Sequence, residues 1–149
     1  MEMPDLMKMP QAGLDELFKK SPPGPIPEGN AAGTAIVWPG TRWTRLIARF
    51  VHGFAWQGKI FTMNPGGKGA TLQNKITAVG VQAIVARVYH TQSWLDQKEC
   101  IVLDYSKTSL FARKIRDEIR LVDEANRIYL GKVWWGQTRL IDFALQFPK

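Results

Sequence analysis

From Lys59 onward the chain reads as one β-prone segment after another, and nothing between them has the apolar periodicity of a crossover helix. Residues 59–63, 70–77, 83–90, 100–105, 116–122, 127–135 and 140–147 are rich in Val, Ile and aromatic side chains or alternate apolar with polar ones, the pattern of strands. Asn64, Pro65 and the glycines Gly66, Gly67 and Gly69 supply turn chemistry between the first two. Residues 110–115 fit either helix or strand. An earlier run from Gly33 to Trp38, ended by Pro39-Gly40, brings the strands to eight. Eight largely antiparallel strands within residues 33–147 present long unpaired edges unless the sheet closes on itself. The expected fold is therefore mainly β: a single eight-stranded antiparallel β-barrel.

Two helices flank the first strand in this reading. Residues 1–20 place Leu14, Leu17 and Phe18 on one face and end in Lys19 and Lys20, as suits a short amphipathic helix. After Thr41, a capping residue, Trp43, Leu46, Ile47, Phe50, Val51 and Phe54 recur at the spacing of one apolar stripe, with Arg42, Arg45 and Arg49 opposite. Residues 41–54 thus read as a basic, aromatic helix that lids the barrel or touches a membrane surface. Between them, residues 21–30 hold four prolines and read as an extended connector. The division is an N-terminal helix and connector over 1–30 and a barrel domain over 31–149.

Faces follow from the strand period of two. In 115–122 the odd positions are Ile115, Asp117, Ile119 and Leu121, and the even ones Arg116, Glu118, Arg120 and Val122. The odd face is core, interrupted by one carboxylate. In the last strand Ile141, Phe143, Leu145 and Phe147 share a core face against Asp142, Ala144 and Gln146.

The order of helix, Gly-led first strand, amphipathic helix and meandering strands resembles the calycin group, the lipocalins and fatty-acid-binding-protein-like barrels. That resemblance implies a small apolar ligand inside the barrel. The first strand reads Gly33-Thr34-Ala35-Ile36-Val37-Trp38 and lacks the Gly-x-Trp pair of lipocalins, so the arginine that packs on that tryptophan is not carried over. The stretch from Asp104-Tyr105 through Arg116-Asp117-Glu118 to Tyr129-Leu130-Gly131-Lys132 is similar to small uncharacterised bacterial β-barrel proteins.

Candidate chemistry centres on Asp117, a carboxylate removed from water on an apolar face, the setting in which enzymes place acid/base groups. An ion pair with Arg87 or Arg113 is the structural alternative. Tyr89, Tyr105 and Tyr129 lie on strands, and Arg87 shares the face of Tyr89; turned inward they form a polar floor for a carboxylate or carbonyl. Trp56, Trp94, Trp134 and Trp135 fall near strand ends, where indoles line pocket mouths, and the parity of Tyr129 and Val133 makes Trp135 the inward member of its pair. The ligand-binding set is Arg87, Tyr89, Tyr105, Asp117, Tyr129, Trp135 and Phe54, with Asp117 and Tyr105 catalytic if the protein is an enzyme of cofactor-independent cyclase, isomerase or hydratase type.

Other chemistries find less in the residues. One cysteine and two histidines supply neither a disulfide nor a four-ligand zinc site, so no metal and no cofactor is expected. His52 and His90 read as surface or rim histidines, either able to act as a single general base beside a pocket. Ser93, Ser106 and Ser109 have no Gly-x-Ser-x-Gly setting, and the Gly66-Gly67-Lys68-Gly69 run lacks the phosphate-loop spacing and reads as a hairpin turn. The balance of 20 Lys and Arg against 13 Asp and Glu, net +7, is spread along the chain without a nucleic-acid motif, so no nucleic-acid partner is expected. With no apolar span and no signal-type leader, the expected protein is a cytoplasmic monomer or homodimer that binds a small apolar or amphipathic molecule.

Overall fold

A computed structural model describes residues 2–36, 56–64, 69–76, 85–106 and 113–149. Eight antiparallel strands, β1 (Gly29–Ile36), β2 (Trp56–Met63), β3 (Ala70–Ile76), β4 (Val85–Gln92), β5 (Glu99–Asp104), β6 (Ile115–Asp123), β7 (Ile128–Trp135) and β8 (Thr138–Gln146), close into a barrel in sequence order. The expected mainly β, eight-stranded closed barrel is the observed fold, and it is compatible with a calycin-like architecture. β1 makes the closure by dividing its length: residues 29–32 pair with β2 and residues 32–36 with β8. Bulges between Trp56 and Gly58, between Leu121 and Asp123, and between Val133 and Trp134 add the local bend that a closed sheet needs.

β1 starts four residues before the propensity signal at Gly33, inside the segment read as connector. The rest of that segment plugs one end of the barrel. Proline has no N–H to donate but keeps its carbonyl, and here the backbone oxygens are what bind: Leu121 N–H donates to Pro22 O (3.1 Å) and Tyr129 Oη to Pro25 O (2.8 Å). His90 Nε2 lies 3.0 Å from Gly24 O. Gly24 has φ +72° and sits so close to Leu121 that a Cβ there would fall 2.7 Å from the Leu121 Cβ. Ile26 packs onto the barrel core.

The N-terminal helical region is two helices rather than one, α1 (Met3–Lys8) and α2 (Gln11–Lys20). Pro10 divides them: it forces Met9 out of the helical region (ψ 135°) and becomes the N-cap of α2. Leu14, Leu17 and Phe18 are buried as their spacing indicates, together with Leu6, Cys100, Ile128, Leu130 and Ala144 on the outer surface of the barrel. The described residues therefore form two cores. The inner one comprises Ala31, Phe61, Val88, Ile101, Leu103, Ile119, Tyr129, Phe143, Leu145 and Phe147 among others.

The helix expected over 41–54, with Phe54, and residues 107–112 lie outside the described residues. So do residues 65–68 of the glycine turn, although Asn64 N–H donates to Gly69 O (3.1 Å) across it. No helix of the described residues is long and apolar enough to cross a membrane.

Candidate functional site

Asp117 is on the inner face, as the alternation of β6 requires, and is 3% exposed. Its partner is Tyr105, one residue beyond β5, whose Oη donates to Asp117 Oδ2 (3.1 Å) with both side chains buried. In the strand ladders Leu103 stands opposite Asp117 on one side and Val133 on the other. A carboxylate and a phenol are thus joined within an apolar surround, at the end of the barrel away from the proline plug. Hydrogen bonding is what makes such burial tolerable, since an unsolvated carboxylate without donors costs several kcal/mol.

The other expected lining residues are not gathered there. Arg87 and Tyr89 lie on the outer face of β4, where the Arg87 guanidinium (3.2 Å) and the Tyr89 hydroxyl (2.9 Å) both donate to Asp104 Oδ2. Their inward orientation is corrected: the inward residues of β4 are Ala86 and Val88, both buried. Burial raises the Tyr89 pKa, and the hydrogen bond to the Asp104 carboxylate adds to this. Arg87 is also not the partner of Asp117; its ion pair is with Asp104. Tyr129 does face the core, but at the plugged end, where its ring meets Phe147 edge-on at 5.6 Å and its hydroxyl is taken by Pro25; burial raises its pKa. Trp135 pairs with Ile115 at the rim and is 39% exposed, while Trp134, on the outer face, is the buried indole of the two.

Aromatic rings pack the interior next to the proline plug. Phe61 packs edge-on to Phe147 at 5.4 Å, Phe147 to Tyr129, and the Phe143 ring lies against Gly131, where a Cβ would come within 2.2 Å of Phe143 Cζ. Only glycine allows that approach.

Parity alone does not reveal how much chemistry the outer face buries. Glu118, Arg120, Lys132 and Asp142 are all 1% exposed or less, because α2 and the 93–98 turn cover them. Arg120 places all five donors: two on Asp96 (2.7 Å each) and one each on the carbonyls of Phe18, Lys98 and Glu99. Lys132 Nζ joins Asp15 (2.7 Å) to Asp142 (2.8 Å), and Arg139 donates twice to Asp15 (2.9 Å each). Burial raises the Asp142 pKa against the pull of Lys132; burial also works upward on Asp15, but the hydrogen bonds from Lys132 and Arg139 win and lower it. Cys100 touches Glu118 (3.6 Å), and burial with that neighbouring carboxylate pushes its thiol up to about 12, which leaves it protonated and unreactive. Among the described residues no cluster of three His, Cys, Asp or Glu side chains could hold a metal ion.

Comparison with known protein families, with curated proteins and with solved structures gives no match.

Proposed function

We propose that the barrel binds a small apolar or amphipathic molecule in the half of its interior away from the proline plug, with Tyr105 and Asp117 as the polar anchor. The Tyr105–Asp117 hydrogen bond carries this reading. An inner face that served packing alone would hold apolar residues of similar volume at both positions, which cost less to bury than a carboxylate. Apolar pockets fix ligand orientation with a few such convergent polar groups. The rings of Phe61, Tyr129, Phe143 and Phe147 pack the plugged end, which favours a compact ligand at the Asp117 end over a long chain.

Native mass spectrometry of the purified full chain, followed by solvent extraction, tests the reading and reports the oligomeric state. The expected result is a co-purifying molecule of a few hundred daltons whose occupancy falls in Asp117→Asn. Ligand-free protein that also fails to take up a fluorescent apolar probe would overturn it.

The same pair supports a second reading, cofactor-independent acid/base chemistry, because the 3.1 Å bond from Tyr105 fixes the position of the Asp117 carboxylate. Asp117 would move a proton and Tyr105 would hold a carbonyl or enolate oxygen. Asp117→Asn separates the two: it abolishes turnover of the extracted molecule in an enzyme and alters only affinity in a binding protein.

A further inference from the structure

Strand β6 carries Asp117 inward and its neighbours Arg116 and Glu118 outward, and the outward pair builds a second site. Glu118 is fully buried, and its carboxylate accepts from the Trp94 backbone N–H (2.9 Å), Arg116 Nε (3.3 Å) and Cys100 Sγ (3.6 Å). Arg116 donates as well to the Gln92 carbonyl (2.8 Å), and its guanidinium lies over the Trp94 ring, 4.3 Å from the centroid. Trp134 meets the same ring edge-on at 5.7 Å. Trp94 is thereby held by its backbone, by a cation and by a second indole, yet it remains 45% exposed.

An exposed indole on a turn costs solvation and ordinarily moves; here a buried ion pair is arranged to hold it still. The result is a groove of about 460 Å³ between the 93–98 turn and the 136–137 turn, walled by Trp94, Trp134 and Arg116 and edged by the amides of Gln92, Gln97 and Gln137. A second groove of about 340 Å³ adjoins it and shares Trp94, Arg116 and Gln137.

Two further observations point to a ligand. Trp134 is 9% exposed and its Nε1–H, a donor only, is buried without an acceptor among the described residues. Gln97 has φ +59°, a left-handed backbone that glycine or asparagine adopts more readily, so the turn holds a long amide beside the groove at a conformational cost.

From these features we infer that the groove binds a neutral saccharide, at a site separate from the barrel interior. Indole rings pack against the C–H faces of sugar rings. Side-chain amides both donate and accept, matching vicinal hydroxyls, and the Trp134 N–H beneath the groove wall is a further donor in need of an oxygen acceptor. Among the described residues Arg116 is the one cation lining the larger groove and it is paired with Glu118, so that groove carries no unpaired charge of its own with which to select a phosphate or carboxylate, whereas Arg113 and Lys114 line the adjoining one. The volume falls within the range of roughly 300–1,000 Å³ typical of small-molecule sites.

Saturation-transfer NMR on the full chain with maltose, cellobiose and N,N′-diacetylchitobiose tests the inference, with inorganic phosphate and a short oligothymidylate titrated by tryptophan fluorescence as anionic probes. At least one disaccharide is expected to receive saturation at its ring C–H protons. Trp94→Ala should abolish that transfer, and Gln137→Ala, on an exposed turn, should weaken binding about tenfold with an unchanged thermal midpoint. Trp134→Phe keeps a ring and removes the N–H, and should also weaken binding. No transfer to any of the three sugars, transfer that survives both Trp94→Ala and Gln137→Ala, or a response to the anionic probes alone would each overturn it.

Discussion

Asp104 closes β5 one residue before Tyr105 and illustrates how single contacts set a pH window. Burial works to raise its pKa, but hydrogen bonds from Ser106, Tyr89 and Arg87 outweigh it and hold the carboxyl at about 2. Unfolded, the group titrates near 3.9, so the folded state favours the ionised form. The stability this supplies is complete above about pH 4 and is lost as the pH falls through about 2. The urea midpoint of Asp104→Asn should therefore lie below that of the unmodified protein at pH 6, and the gap should shrink between pH 4 and 2. A gap that stays constant across that range would assign the loss to something other than the charge. At this scale the sequence identified Asp117 as the carboxylate on an inner apolar face, because period-two alternation depends only on neighbours along the strand. It also named Tyr105 beside Asp117, but as one of three strand tyrosines without a contact to decide among them; the β5–β6 pairing is what brings the two side chains together.

Among the elements, α2 depends on the barrel for its place. Its apolar face covers Leu130, Ile128 and Ala144, and its polar contacts run through buried Lys132. Phe18 lies beneath two cations, 4.5 Å from the Arg120 guanidinium and 5.5 Å from Lys132 Nζ, while Arg120 caps the last turn through the Phe18 carbonyl. Lys132→Ala leaves Asp142 buried without its counter-charge and should destabilise the fold by about 3–5 kcal/mol in urea unfolding. Lys132→Met with Asp142→Leu removes both charges together and should cost far less. An equal loss in the two variants would mean that α2 is held by its apolar face alone. The stripe of Leu14, Leu17 and Phe18 was readable from helical spacing, and so was the strand alternation. The burial of Glu118, Arg120, Lys132 and Asp142 was not, because their polar face looks solvated until a helix from the other end of the chain lies across it.

For the whole molecule, closure decides what the interior can hold. β1 pairing with both β2 and β8 closes the sheet, and the contact of Phe143 with Gly131 packs one cross-section of the barrel. Gly131→Ala should cost about 1–3 kcal/mol, as overpacking does, and adding Phe143→Leu should return part of that loss; denaturant midpoints of the two single variants and the double variant measure the coupling. Additive effects would show that the ring and the glycine do not constrain each other. The proline segment, readable as extended, becomes a plug only because its carbonyls meet donors from β6 and β7. By itself the sequence determined the class: strand number, antiparallel order, the inner faces of β6 and β8 and the apolar stripe of α2 follow from local propensity and periodicity. Tertiary structure alone decided which polar groups meet, turning Arg87 and Tyr89 outward to Asp104 and joining Trp94, Arg116 and Trp134 into one groove. Contacts across the sheet depend on register and closure, which sequence neighbours do not encode.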